Sequence, residues 1–183
     1  MRLFVAWSAP ESLAGEIDAH LARARLDLPR ASWTRPGQFH VTLAFIGEQK
    51  EMNVGPLKDA LAMSIPTIAR FELRVGDVGS FPNERRPRVV WLGMAAQELE
   101  TLAGVARNAI LQSGVDYDRK PFRAHLTLAR TKERWSGDDV GRVSSALLPL
   151  QGRVSAVDSI ALYSSVLGNR GARHEVLQRF NLG

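Results

Sequence analysis

Cysteine is absent from the 183-residue chain, which removes disulfides, thiolate nucleophiles and zinc–thiolate centres at once. Histidine is scarce, at four, and no two stand in a His-x-His or His-x-x-x-His pair. A zinc site therefore lacks its ligand spacing, and neither a metal nor any other cofactor is expected. Long apolar runs are missing as well. Nothing approaches the ~18 residues of a membrane span, and the opening stretch Arg2–Ser8 is too short for the apolar core of a secretory signal and leads straight into Pro10 and Glu11. A cytoplasmic protein without a membrane partner is expected. There is no Gly-x-Ser-x-Gly elbow, no phosphate loop of the Walker type and no Gly-x-Gly-x-x-Gly turn, so serine-hydrolase, P-loop and dinucleotide chemistry lose their usual signatures. No low-complexity linker divides the chain, and residues 1–183 are expected to form one domain, large enough for two fused lobes.

Lysine is rare too: all but four of the 24 basic residues are arginine, and the net charge is +5. Arginine presents a planar fork that matches phosphate geometry, which favours an anionic partner. The whole surplus lies between Arg119 and Arg134, where Arg119, Lys120, Arg123, Arg130, Lys132 and Arg134 outweigh the single acid Glu133.

Period-2 and period-3.6 patterns predict strands over residues 2–7, 38–46, 71–78, 88–94, 122–129, 154–164 and 175–182. They predict helices over about 10–26, 54–64, 96–112 and 138–147, with Trp33–Gly37 as extended chain and turn. Strands that alternate with helices but also occur in adjacent pairs indicate an α+β fold with mixed or antiparallel sheets.

The informative feature is a short repeat. His40-Val41-Thr42-Leu43-Ala44-Phe45 and His125-Leu126-Thr127-Leu128-Ala129-Arg130 agree at His, Thr, Leu and Ala. On a strand, His and Thr of each copy share one face while the aliphatic residues take the other. A duplication of this kind places the two strands about a pseudo-twofold axis, with the imidazoles facing each other across a groove. One neutral imidazole can then accept a proton and one imidazolium can donate one, the arrangement that phosphodiester cleavage needs. Thr42 and Thr127 are candidates to hydrogen-bond the non-bridging oxygens, where charge accumulates. Trp33, Phe39 and Phe122 are candidates to stack a nucleobase. Arg123, together with Arg85, Arg86 and Arg88, is a candidate contact to an RNA backbone.

Two extended motifs of this type resemble the 2H phosphoesterase superfamily. Within it, Trp33-x-Arg35-Pro36-x-x-Phe39-His40-Val41-Thr42-Leu43-Ala44-Phe45-Ile46-Gly47-Glu48 and Lys120-Pro121-Phe122-Arg123-Ala124-His125-Leu126-Thr127-Leu128-Ala129-Arg130 resemble the RNA 2′,3′-cyclic phosphodiesterases, also called 2′-5′ RNA ligases. The likeness extends over nearly the whole chain. It implies two pseudo-symmetric lobes, each an antiparallel sheet backed by helices, around a central cleft. It implies metal-free opening of an RNA 2′,3′-cyclic phosphate to a 2′-phosphate, with His40 as proton donor and His125 as proton acceptor. The reverse 2′-5′ ligation, nucleotides such as ATP in the same cleft, and a monomer belong to the same expectation. Arg130 would add a phosphate contact, but strand parity places it opposite His125 and Thr127 unless the strand bulges before it. Action on 2′,5′-linked oligonucleotides or a small cyclic nucleotide, and RNA binding without turnover, stay open as alternatives. Two positions depart from the family pattern. Ala124 stands where many relatives have proline, and His174 where a tyrosine is expected. His174 and His20 are expected to be exposed surface residues.

Overall fold

The computed structural model describes residues 1–168 and 171–183. Chain order runs β1 (Arg2–Ser8), α1 (Glu11–Ala24), β2 (Ala31–Trp33), β3 (His40–Glu48), α2 (Val54–Ser64), β4 (Phe71–Phe81), β5 (Val89–Ala95), α3 (Gln97–Gln112), β6 (His125–Thr131), α4 (Gly137–Leu147), β7 (Val154–Val157), β8 (Ser159–Gly168) and β9 (Gly171–Asn181). Local chemistry explains the boundaries. Pro10, with its ring-fixed φ of −61°, leads into α1, which buries Leu13, Ala14, Ile17 and Leu21 at helical spacing. Ser136 and Asp139 close a reciprocal capping box at the start of α4.

All strand pairs are antiparallel, in one sheet of order β7-β4-β5-β6-β3-β1-β8-β9, with β2 on β6. Its two halves, β9-β8-β1-β3 and β6-β5-β4-β7, meet through a single residue pair, Val41 with Leu126. Where β3 and β6 diverge, each is covered by the other half's loop. β2 pairs along Ala129–Thr131 of β6, and the backbone N–H of Asp118 donates to the Phe45 carbonyl at 2.7 Å. The α+β pseudo-symmetric architecture is thus one continuous sheet. Each β-α-β-α-β repeat also sends a strand across: β4 pairs with β5, and β8 pairs with β1.

That exchange corrects one expected element. The single strand over 154–164 is two: β7 ends at Val157 against β4, and β8 starts at Ser159 against β1. The crossing residue Asp158 accepts a backbone hydrogen bond from Leu182. The extended stretch at Trp33 is also a true strand, β2, recruited by the exposed edge of β6.

One face of the sheet carries Leu3, Val5, Trp7, Val41, Leu43, Leu92, Leu126 and Leu128 into the main core with the four helices. On the other face Phe4, Ala6, Ala161 and Tyr163 form a separate small buried cluster. The histidines lie on this second face. Helical packing is therefore complete without them, and their imidazoles are left for other work.

Candidate active site

The repeat is structural as well as sequential. β3 and β6 share the same sequence of buried and half-buried positions over their first five residues, and both bulge at the equivalent leucine. Thr42 pairs with Ala6 and Ala44 with Val5, so Leu43 is the extra residue. Thr127 pairs with Trp91 and Ala129 with Val90, so Leu128 is the extra residue. A bulge resets strand parity. Phe45 and Arg130, the next outward residues, therefore join the His–Thr face instead of the helical face. This supplies the condition that strand alternation set for Arg130. Sequence analysis did not single out Phe45, although it occupies the repeat position of Arg130.

The antiparallel Val41–Leu126 pair sits at the pseudo-dyad, so His40 lies toward Thr127 and Thr42 toward His125. Side chains diagonal to each other across such a pair have Cβ atoms ~7–8 Å apart, a gap suited to one phosphate group. Both imidazoles are held in the same way. Nδ1 of His40 donates to the Gln38 carbonyl and Nδ1 of His125 to the Arg123 carbonyl, each at 2.7 Å. A backbone carbonyl can only accept, so the proton of the neutral ring is fixed on Nδ1 and the Nε2 lone pair is the one left to accept a proton.

Burial lowers both pKa values, with that of His40, the more deeply buried, at about 4. After burial, the Arg130 charge adds a smaller push in the same direction on both rings, so this guanidinium lies within electrostatic reach of each. A histidine kept neutral by folding makes the protein acid-sensitive. The unfolded chain takes up its proton near pH 6.5, so stability is lost as pH falls through 6.5 toward 4, to an extent of roughly 3 kcal/mol for His40. Urea denaturation of wild type and His40→Gln at pH 7 and pH 4 is expected to show the smaller acid loss in the variant. Equal losses would remove His40 as the source.

Beside His125 and Thr42 a cleft of about 730 Å³ runs between Phe45 and Gly47 on one side and Phe81, Lys120, Phe122 and Arg123 on the other, a size typical of small-molecule sites. Arg123 covers the Phe81 ring at 5.7 Å, and Arg107 covers Phe122 at 5.7 Å. Phe81 also meets His125 edge-on at 5.0 Å. Behind it the Trp91 indole lies over Gly79, where a Cβ atom would come within 2.3 Å of the ring, so this wall requires glycine.

The remaining candidates separate clearly. Phe122 and Arg123 line the cleft. Phe39, by contrast, is 1% exposed within the core, because in extended chain it shares the helical face with Val41, opposite His40. Trp33 packs against Trp135 and under Arg25, on the helical side of the sheet, and is likewise removed as a base-stacking surface. Arg119 and Lys120 are paired with Asp116 and Asp118, which reduces the local positive surplus read from the sequence. Arg85 and Arg86 are exposed on the turn after β4, while His20 is exposed on α1. His174 corrects its expectation: it is partly buried against Phe4 and His40. Among the described residues no group of three or more His, Cys, Asp or Glu side chains is placed to hold a metal ion, and no helix is long and apolar enough to cross a membrane.

A duplicated α+β sheet that brings two His-x-Thr strands together across a cleft defines the class of two-histidine phosphoesterases. The model of the LigT-like phosphoesterase family matches residues 9–91 and again 92–174, and the chain belongs to that family. The two matches correspond to the two structural repeats. The chain is 35% identical to the RNA 2′,3′-cyclic phosphodiesterase of Thermus thermophilus, over 100% of its own length and 90% of the relative's. It is 30% identical to the enzyme of that name from Geobacillus stearothermophilus over 87% of its length, but spans only 50% of that relative. The crystal structure of E. coli LigT complexed with 3′-AMP superposes with a TM-score of 0.78 at 27% identity, covering 99% of this chain and 97% of that one. A further E. coli LigT structure, complexed with ATP, gives 0.74 at 28% identity, covering 99% and 97%.

Proposed function

We propose that the protein hydrolyses RNA 2′,3′-cyclic phosphate ends to 2′-phosphate ends without a metal ion, using His125 and His40 as base and acid. The observation that carries this reading is the matched anchoring of the two imidazoles, each with Nδ1 fixed to a backbone carbonyl, on strands that the Val41–Leu126 pair brings side by side. In the reaction His125 Nε2 removes a proton from water as its oxygen bonds to phosphorus. The P–O3′ bond then breaks, and His40 Nε2–H delivers a proton to the departing O3′. Thr42 and Thr127 donate to the non-bridging oxygens, and Arg130 neutralises the charge that builds there. Burial disfavours the His40 imidazolium. The phosphate anion offsets this, since an opposite charge at hydrogen-bond distance raises the pKa, so the proton donor is charged when substrate is in place.

The nucleoside has the aromatic arm of the cleft available. Phe45, 53% exposed, offers an open ring face, and aromatic faces take any base. The naming of the relatives and the 3′-AMP and ATP complexes of E. coli LigT support a nucleotide in this cleft.

Incubation of an oligoribonucleotide ending in a 2′,3′-cyclic phosphate, with and without EDTA, tests the proposal. The expected product is a 2′-phosphate, formed at the same rate in chelator. A 3′-phosphate product or loss of activity in EDTA would contradict the chemistry. Salt-sensitive binding with unchanged ends would make the protein an RNA-binding module, and preference for a cyclic mononucleotide would move the substrate to small nucleotides.

A further inference from the structure

A third imidazole borders the site, outside both motifs. His174 lies on β9 opposite Ser165. Its ring centroid is 5.4 Å from that of His40 at an interplanar angle of 82°, and 4.9 Å from that of Phe4 at 77°. Phe4 is itself 5.2 Å from His40, so the three rings form a closed cluster. Tyr163 stacks on the far side of Phe4 at 5.0 Å and 12°, and its hydroxyl bonds that of Ser8, the register partner of His40. His40 is thus held by Gln38 at Nδ1 and walled by His174 and Phe4 from the β1 side, away from β6.

Nδ1 of His174 is buried without a hydrogen-bond partner. A bare lone pair is tolerated there far better than an unpaired N–H, so the neutral ring keeps its proton on Nε2. We infer that His174 is a positioning residue for His40. When neutral it fixes the ring that works on the phosphate, and when charged it opposes the proton that this ring must carry. The inference takes its geometry from the ring cluster alone, but its consequence for catalysis rests on the acid–base role proposed for His40.

Among the described residues, the charged and titratable groups around the pair are few. β6 presents His125 and Arg130 to His40, and β1 presents Phe4, with Arg2 farther along the cleft rim. β8 places Ser165 and Tyr163 beside His174, and the flanking Arg173 and Glu175 approach each other at 3.8 Å. Burial lowers the pKa of both rings, and the charge of His174 lowers that of His40 further. When His174 carries its proton, His40 titrates against an adjacent cation.

Imidazole titration by NMR in the full chain, for wild type, His174→Gln and His174→Tyr, tests this directly. The His40 midpoint is expected to rise in both variants on the order of half a pH unit, the effect of removing a unit charge at this distance. The rate on a cyclic-phosphate oligonucleotide, as variant over wild type, is expected to rise about threefold between pH 8 and pH 5. An unchanged His40 midpoint in the folded variants overturns the inference, as does a rate ratio constant with pH. A wild-type protein inactive on cyclic phosphates would overturn the proposed function instead, and the NMR result would still decide whether His174 acts on His40.

Discussion

Replacing either His40 or His125 by alanine is expected to lower kcat on a 2′,3′-cyclic-phosphate oligonucleotide by about 10²–10⁴-fold, with a much smaller change in KM. In the proposed mechanism the two imidazoles act on one phosphorus in one step, so the double variant should lose little more than the worse single variant. Neither ring belongs to the main core, and thermal unfolding should confirm that both variants fold. The leaving group separates the roles. An aryl phosphodiester that departs as a stabilised phenolate needs no proton from the enzyme. His40→Ala should therefore retain most of its activity on such a substrate, while His125→Ala should not. The opposite pattern would exchange acid and base between the two residues, and equal losses on both substrates would deny His40 the donor role.

Arg130→Ala is expected to lower kcat/KM by about 10²–10³-fold, the loss typical of removing one donor to a developing oxyanion. Arg130→Lys should recover only part, because a single ammonium cannot reproduce the guanidinium fork on a phosphate. A second signature tells this residue from a general contributor to positive potential. Burial holds both imidazoles below their ordinary pKa and the Arg130 charge adds to it, so removal of that charge favours their cationic forms and both limbs of the pH–rate profile should move toward higher pH. A variant that keeps wild-type kcat/KM, or loses activity with an unmoved pH profile, would count against contact with the reacting phosphate. The prediction depends on the bulge at Leu128. In a regular strand Arg130 would be buried among the helices, and its loss would be a folding defect.

That dependence shows where sequence stops being sufficient. The elements themselves are legible because periodicity and local stop signals carry them. The four helices lie close to where their apolar spacing puts them, and Pro10 and Ser136 sit at two of the boundaries. β2 is missed because three residues have no period to read, and it is a strand only because β6 offers an unpaired edge. The break at Asp158 is missed because Val154–Val157 and Ser159–Ser164 are equally strand-like. Only their partners, β4 for one and β1 for the other, separate them. Within the site, the His–Thr frames were legible as a repeat, since two copies of one pattern make a stronger statement than either alone. Phe39 and Trp33 misled because an aromatic residue beside a motif looks the same whether its ring turns toward the cleft or toward the helices.

The amino-acid sequence by itself determined the chemistry on offer: no thiolate, two imidazoles with neighbouring hydroxyls, and a surplus of guanidinium groups around the second of them. It determined the duplication too, because spacing along a chain survives without coordinates. The tertiary structure alone decided which groups share the site. Bulges after each threonine turned Arg130 and Phe45 onto the His–Thr face of the sheet. The exchange of β4 and β8 linked the two sequence repeats, the Val41–Leu126 pair joined the halves into one sheet, and the β9 register brought His174 from a distant strand against His40. Those outcomes depend on contacts between residues far apart in the chain, and no local pattern encodes the depth at which a side chain finally lies.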